Sequence, residues 1–184
     1  SEVLIRELKK DDLDKSLAFF RALPKEDRAY LRVDVTKRDV VERRINAMES
    51  EEVNRLVAVV DGEIVADGSL EREHQEWKKH IAELRLIVAH PYQRKGLGLL
   101  MARELFALGA SKKVEEILVR IMAPQVGALS IFKRLGFHQD AVLHDYVKDI
   151  DGEKHDLILM RCDLESLWRK LGDFMTDFDW QRTR

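Results

Sequence analysis

Cysteine is almost absent from the sequence, since Cys162 is the only one among 184 residues. A single cysteine excludes an intrachain disulfide and fits a reducing compartment, so we expect a cytoplasmic protein. The histidines show no metal-ligand spacing, and with one cysteine they provide no zinc constellation. We therefore predict that the chain binds no metal.

Long hydrophobic runs and a dominant charge sign are also missing. The longest apolar runs, such as residues 56–60, have the length of a strand and are far short of a membrane span. The 32 Lys and Arg residues nearly balance the 34 Asp and Glu residues, which argues against a basic nucleic-acid-binding face. No signal peptide opens the chain. We therefore expect no membrane and no nucleic acid among its partners.

The length of the chain suits one domain with a short extension. Strand patterns occur at residues 3–8, 55–60, 63–70, 81–89, 114–122, 141–147 and 157–161, and helix patterns from residue 11, within 24–49, and at 97–109 and 128–135. Asp61-Gly62 and Asp151-Gly152 predict tight hairpin turns. This order predicts a mixed α/β (α+β) fold. Because the first residue is Ser1 rather than Met, excision from a longer chain stays open.

Residues 163–184 form a distinct segment after the domain that we assign to 1–162. Apolar residues recur in this segment at helical spacing: Leu164, Leu167, Trp168, Leu171, Phe174, Met175 and Phe178. We expect a C-terminal amphipathic helix extension that packs on the domain. A homodimer contact or a docking surface for a protein substrate is the alternative.

Glycine is scarce, with nine residues, yet Gly96 and Gly98 lie two positions apart where a strand pattern gives way to a helix pattern. Such a junction exposes backbone N–H groups that bind phosphate. A dinucleotide fingerprint would need a third small residue where the chain has Met101, and a Walker A loop would need a Lys-Ser/Thr pair. Both fail. The remaining interpretation is a coenzyme A pyrophosphate held by the amides of residues 94–99.

Gln93-Arg94-Lys95-Gly96-Leu97-Gly98 resembles the Q/R-x-x-G-x-G/A signature of the GNAT superfamily of N-acetyltransferases. Residues 128–137, ALSIFKRLGF, resemble the later helix of that family, which ends in Leu-Gly-Phe. The order and distance of the two motifs also match, and the resemblance extends over roughly residues 2–162. It implies the GNAT fold, a mostly antiparallel mixed sheet that splays after the fourth strand, with flanking helices and acetyl-CoA in the resulting cleft.

The resemblance also implies which residues contact acetyl-CoA. Backbone groups of Ile87, Val88 and Ala89 would face the pantetheine and the thioester carbonyl. The pyrophosphate would be held by Gln93, Arg94, Lys95, Gly96, Leu97, Gly98 and Leu99. Gln125 and Phe132 would line the site where many members have Asn and Tyr.

Phe132 cannot supply the proton that the family's Tyr gives to the departing CoA thiolate. A thiol with a pKa of about 8.5 leaves tolerably well as a thiolate, so we expect activity without a dedicated acid. A water or another hydroxyl, such as that of Ser130 or Tyr146, is the alternative donor. As a side chain, Phe132 shares a helical face with Ala128 and Leu135 and is expected to pack in the core.

Glu83 is the predicted general base. An alkyl ammonium is neutral in roughly one molecule in a few thousand at pH 7, so the acceptor amine must lose a proton. Glu83 lies on the strand that the resemblance places along the cleft, and desolvation there would bring a carboxyl group towards the range useful for a base. An outward-facing Glu is the alternative. Ala82-Glu83-Leu84 followed by Gln93, and also residues 19–28, resemble bacterial protein-lysine acetyltransferases, in which this Glu is the base.

Three functions remain open at this stage. The resemblance favours direct acetyl transfer from acetyl-CoA to an amine, with a protein lysine as acceptor. A small amine such as a polyamine would instead predict an acidic acceptor pocket, with Glu71, Glu73 and Glu76 as its candidate residues. A non-catalytic acyl-CoA sensor would explain Phe132 and Gln125, and it predicts binding without turnover.

Overall fold

The computed structural model describes residues 2–174 and 181–183 of the chain. Within these residues the strands are β1 Glu2–Glu7, β2 Val53–Val60, β3 Glu63–Arg72, β4 Ile81–Val88, β5 Glu116–Met122, β6 His138–Lys148, β7 Lys154–Asp163 and β8 Gln181–Thr183. The α-helices are α1 Leu13–Ala22, α2 Lys25–Arg28, α3 Arg38–Asn46, α4 Leu97–Ser111, α5 Val126–Arg134 and α6 Leu164–Phe174. Short 3-10 turns lie at Lys10–Asp12, Ala47–Glu49, Glu76–Lys78 and His90–Tyr92.

The strands form one mixed sheet in the order β6-β7-β5-β4-β3-β2-β1-β8. Neighbouring strands are antiparallel except for β4 with β5 and β1 with β8, which are parallel. The predicted mixed and mostly antiparallel architecture is therefore confirmed. In the described part of the chain, no helix is both long and apolar enough to cross a membrane.

The sheet opens between β4 and β5. These two strands pair only where Ile81 to Glu83 face Glu116 to Leu118, whereas β4 continues to Val88 and β5 to Met122. β3 remains paired with β4 as far as Val88, and β7 with β5 as far as Met122. The two halves of the sheet thus separate beyond Glu83, which confirms the predicted splay after the fourth strand.

Two hydrophobic clusters cover the two faces of the sheet. On one face, α4 and α6 bury Met101, Leu105, Phe106 and Leu167 against strand residues that include Leu84. On the other face lies a smaller cluster that α1 and α3 build with β2 and β3: Leu17, Phe20, Val41, Ile45, Val57 and Ile64. Truncating a fully buried Phe of this kind to Ala costs about 3–5 kcal/mol.

The alternation of β4 divides its side chains between these faces. Ala82, Leu84, Leu86 and Val88 join the α4 cluster, whereas Ile87 joins the α1 and α3 cluster. Glu83 lies two and four positions before Arg85 and Ile87 and therefore shares their face. The candidate base thus points away from α4.

The structure contains both predicted hairpin turns and part of the C-terminal segment. Gly62 and Gly152 have φ values of 80° and 82° in the two hairpin turns predicted at Asp61-Gly62 and Asp151-Gly152. In the extension, α6 buries Leu164, Leu167 and Leu171 in the main core, while Met175 and Phe178 lie outside the described residues. Residues 181–183 pair with β1 as a strand rather than continuing a helix. The division at residue 162 stays a prediction.

Candidate active site

The edge of β4 that faces the gap carries backbone groups without a strand partner. The N–H of Ala89 donates to the carbonyl of Val65 in β3 at 2.8 Å. Because backbone direction alternates along an antiparallel strand, Ile87 and Ala89 bond towards β3, whereas Leu86 and Val88 present their N–H and C=O groups to the gap. Of Ile87, Val88 and Ala89, which are expected to face the thioester, Val88 therefore has backbone groups that face the gap. The backbone groups of Leu86 face the gap as well.

The loop after β4 ends in two left-handed residues. Arg94 has φ 58° and Gly96, which directly precedes α4, has φ 82°. The first backbone bond of the helix runs from the N–H of Leu100 to the carbonyl of Gly96 at 3.0 Å. Within the described residues, the N–H groups of residues 94–99 make no backbone hydrogen bond. Such a run of open donors at a helix N-terminus forms an anion site.

Gly98 places this helix N-terminus directly against the gap. A Cβ atom built on Gly98 would lie 3.6 Å from the Leu86 side chain and 3.7 Å from the Val88 side chain. These are ordinary van der Waals distances, so the first turn of α4 packs closely on the end of β4. The open amides of the loop and the gap-facing edge of β4 are therefore neighbours, as an extended ligand with a pyrophosphate and a thioester requires.

The side chain of Gln93 holds this loop rather than pointing into the anion site. Its amide nitrogen donates to the carbonyl of Val88 at 3.0 Å and to Asp27 at 3.1 Å. Gln93 thus links the end of β4 to α2 across the start of the loop. Arg94 and Lys95 are exposed beside it.

Glu83 lies at the last paired step between β4 and β5, and its side chain is 11% exposed. Three guanidinium groups surround its carboxylate. Arg32 hydrogen bonds to Oε1, Arg85 lies 3.4 Å from Oε1, and Arg120 lies 3.3 Å from Oε2. The apolar environment expected for Glu83 is therefore not present, because cations reach into the sheet from both sides of the gap. All three form ion pairs with Glu83.

The ion pairs continue from Glu83 along the same face of the sheet. Glu71, which pairs with Glu83 across β3 and β4, lies 3.3 Å from Arg85 and 3.8 Å from Arg55. Arg55 lies 2.7 Å from Asp67, and both side chains are almost fully buried. Arg44 on α3 reaches the same Asp67 at 3.5 Å. A series of connected ion pairs therefore extends from the buried centre of the sheet to the gap.

Burial lowers the pKa of two arginines in this series of ion pairs, Arg44 and Arg32. Desolvation lowers the pKa of Arg44 to about 10, and the neighbouring Arg55 lowers it as well. Desolvation also lowers the pKa of Arg32; Glu83 raises it, while Arg85 and Arg120 lower it further. Positive charge is thus in excess around Arg32.

The loop that carries Arg32 is anchored on the far side of the gap. The carbonyl of Ala29 accepts a hydrogen bond from the N–H of Ile150 at 3.0 Å, in the turn between β6 and β7. Lys25 pairs with Asp151 of the same turn at 2.8 Å. Arg32 is therefore positioned by contacts on both halves of the splayed sheet.

Gln125 and Phe132 serve the junction between β5 and α5. The side-chain oxygen of Gln125 accepts from the backbone N–H of Met122 at 2.9 Å and so fixes the end of β5. Phe132 packs edge-on against Phe137, with ring centroids 5.0 Å apart, and is partly buried in the main core. The packing role expected for Phe132 is therefore seen.

The acidic residues considered for a polyamine pocket are already paired with cations. Glu71 contacts Arg85, Glu73 lies 3.9 Å from Lys78, and Glu76 pairs with Lys79. Two histidines that precede β4 also lie close to carboxylates: His74 is 3.4 Å from Glu52, and His80 is 3.9 Å from Glu116. Each of the three glutamates therefore has a cationic neighbour, although the side chains of Glu73 and Glu76 remain exposed.

A further group of possible metal ligands lies in the turn between β6 and β7. Atoms of Asp149, Glu153 and His155 lie within 4.8 Å of one another. Asp149 accepts backbone bonds from Asp151 and Glu153 and contacts His155 at 2.7 Å. Both its oxygens are therefore used by the turn, as expected of a hairpin.

Sequence reasoning missed the arginines around Glu83. Arg85 lies two residues after Glu83, and Arg120 interrupts the apolar residues that follow Glu116 in β5. Charged residues at a period of two within buried strands were the available signal. Arg32 gave no such signal, because the folded loop brings it to Glu83 across 51 positions of sequence.

Comparison with known proteins agrees with this geometry. Residues 17–137 match the family described as the acetyltransferase (GNAT) family. No curated protein matches the chain.

Solved structures share the fold at low identity. An acetyltransferase of the GNAT family from Streptococcus pneumoniae is 18% identical, with 88% of this chain and 99% of that chain covered and a TM-score of 0.74. A ribosomal-protein-alanine N-acetyltransferase from Brucella melitensis is 21% identical, with 87% and 99% covered and a TM-score of 0.74. A chimera of the Vibrio cholerae spermidine N-acetyltransferase is 18% identical, with 91% and 99% covered and a TM-score of 0.75. At these identities the likeness shows the fold and leaves the acceptor open.

Proposed function

The chain belongs to the acetyltransferase (GNAT) family and is an acetyl-CoA-dependent N-acetyltransferase, and we propose that its acceptor is the side-chain amine of a protein lysine. The observation that carries the proposal is the position of Glu83 at the step where β4 and β5 separate. There it borders the gap, and the two exposed arginines beside it leave the site cationic. A polycationic small amine fits such a site poorly, since like charges repel.

The open amides of residues 94–99 are proposed to bind the pyrophosphate of acetyl-CoA. A helix N-terminus and a left-handed turn both aim N–H groups at an anion. Arg94 and Lys95, which are exposed at the same turn, add positive charge. Gln93 keeps the loop in place through its bond to Val88.

The gap-facing N–H groups of Leu86 and Val88 are proposed to contact the thioester and pantetheine. Because β5 pairs with β4 only as far as Glu83, these donors are available to a ligand. A donor aimed at the thioester oxygen stabilises the negative charge that forms when the amine attacks.

Glu83 is proposed to take the proton of the lysine ammonium. The neutral amine then attacks the carbonyl carbon, the carbon–sulfur bond breaks, and CoA leaves as a thiolate. The amine nitrogen loses its second proton to solvent as the amide forms. Nearby guanidinium groups also lower the pKa of an entering ammonium, since they disfavour a further positive charge. In this way the cationic surroundings assist deprotonation of the acceptor amine.

The decisive experiment is transfer of isotope-labelled acetyl groups from acetyl-CoA into a clarified cell extract, read by mass spectrometry. We expect label on specific protein lysines, and Glu83→Gln should abolish it while acetyl-CoA binding persists. Label confined to small molecules would move the acceptor to the competing class of small amines. Binding of acetyl-CoA with no label in either fraction would identify a sensor and overturn the proposal.

A further inference from the structure

Three arginines reach Glu83 from three different elements. Arg32 lies in the loop between α2 and α3, Arg85 on β4 and Arg120 on β5. Their side chains are 37%, 33% and 38% exposed, whereas that of Glu83 is 11% exposed. The surface that solvent meets at this point is therefore made of guanidinium groups, with the carboxylate beneath them.

The charges of this cluster do not balance. Along the connected chain of ion pairs, five arginines meet three carboxylates, which leaves an excess of two positive charges. The most buried members, Arg55 and Asp67, satisfy one another. Arg44 shares Asp67 with Arg55, so one excess charge lies at the buried end. Among the described residues, Arg32, Arg85 and Arg120 meet only Glu71 and Glu83, which leaves the other excess charge at the exposed end, beside Glu83.

Arg32 and Arg120 are geometrically suited to bind an anion. A guanidinium group carries five N–H donors in a planar fork. In the described residues, the contacts found for these two groups are one each, to opposite oxygens of Glu83. Both side chains are more than a third exposed, and a guanidinium group can bind a carboxylate through two parallel hydrogen bonds.

We propose that the acceptor lysine is accompanied by an adjacent Asp or Glu, whose carboxylate binds Arg32 and Arg120. This inference rests on the proposed function and names the class of lysine that the site accepts. Binding of the acceptor carboxylate draws these arginines away from Glu83. The oxygens of Glu83 are then released to accept the proton of the lysine ammonium, so the acidic neighbour contributes to turnover as well as to binding.

Matched peptides test this directly with the full chain. Three peptides share one central lysine and differ only in flanking residues, which are Glu, Gln or Arg. We expect kcat/KM to be about tenfold or more higher for the Glu peptide than for the Gln peptide, as for a charge-assisted hydrogen bond, and lowest for the Arg peptide. Part of this difference should lie in kcat.

Variants identify the residues responsible. Arg32→Gln and Arg120→Gln should each reduce the ratio between the Glu and Gln peptides several-fold. Arg38→Gln, which removes an exposed arginine paired with Asp14, is the matched control and should leave the ratio unchanged. Acetyl-CoA affinity, measured by calorimetry on each variant, reports whether the fold and the cosubstrate site are intact.

The outcomes separate this inference from the proposed function. Acetylation of all three peptides at one rate, or preference for the Arg peptide, would overturn the acidic acceptor and leave the lysine acceptor standing. A preference for the Glu peptide that survives both variants would overturn the role of Arg32 and Arg120. Failure to acetylate any peptide, with small amines still acetylated, would overturn the lysine acceptor and the inference together.

Discussion

The side-chain amide of Gln93 donates a hydrogen bond to the backbone carbonyl of Val88 at 3.0 Å. This bond joins the last residue of β4 to the loop whose amides are proposed to hold the pyrophosphate. It uses a carbonyl that faces the gap and would otherwise have no strand partner.

Gln93→Ala should weaken acetyl-CoA binding several-fold. The substitution removes the bonds to Val88 and Asp27, each worth about 1 kcal/mol, and frees the loop. Calorimetric titration with acetyl-CoA measures the effect. Gln75→Ala, which removes an exposed amide bonded to Trp77, is the control, and an equal loss in both variants would contradict the positioning role.

Gly96→Ala should lower the thermal stability of the protein, whereas Gly98→Ala should not. Gly96 has φ 82°, where an alanine costs about 1–2 kcal/mol, so its variant should melt a few degrees lower. A Cβ on Gly98 meets Leu86 and Val88 at ordinary distances, and Ala is the better helix former. Thermal unfolding of both variants should show an unchanged or higher Tm for Gly98→Ala. A larger loss for Gly98→Ala would contradict the described packing.

Cys162 should resist alkylation in the folded protein. Burial raises the pKa of its thiol to about 11, so at pH 8 the thiolate is roughly a hundredfold rarer than for an ordinary cysteine. Labelling with iodoacetamide at pH 8, with and without denaturant, measures the difference. Cys162→Ala provides the blank, and rapid labelling of the native chain would show that the thiol is accessible.

Asp12→Asn should destabilise the protein at neutral pH but not in acid. Its carboxylate accepts bonds from Arg6 at 2.6 and 2.9 Å, and Arg6 holds the pKa of Asp12 below its usual value. A lowered pKa contributes stability above the unfolded value of about 3.9, and this is lost as the pH falls through the lowered pKa.

Urea unfolding across pH measures this contribution. Asp12→Asn should lower the free energy of unfolding by about 1–3 kcal/mol at pH 7, and the difference from the parent protein should shrink below about pH 4. Asp11→Asn changes an exposed neighbour and serves as the control. A constant difference at all pH values would rule out the linkage.

Phe132→Tyr should change kcat by no more than about threefold. Because a thiolate is a tolerable leaving group, a new hydroxyl has little to add, although an acid can contribute up to about 10⁴-fold where it is needed. Stopped-flow detection of CoA thiol release measures the effect. A gain of a hundredfold would show that a missing proton donor limits the reaction.

The sequence predicted best those parts of the candidate site that depend on neighbouring residues in the chain. Gly96 and Gly98 predicted a loop between a strand and a helix, and the strand pattern over residues 81–89 predicted β4 to within one residue. These features depend on local chemistry, which a single sequence records.

Features built by distant segments were missed. Arg32 meets Glu83 only because the loop is anchored to the turn between β6 and β7, and no local pattern encodes that contact. Residues 181–183 become a strand because β1 offers them an edge, although the preceding pattern is helical. Gln93 matched a family position, yet its bonds to Asp27 and Val88 depend on tertiary placement.

The register of β4 ties the location of Glu83 to the opening of the sheet, because Glu83 is the last residue of β4 that pairs with β5. A shift of one residue would turn the carboxylate towards α4 and bring an alanine or a leucine in its place. Arg32 and Arg120 lie outside that strand. Evolution can therefore change the charge around the site by altering a loop or β5, while Glu83, the proposed proton acceptor, keeps its place.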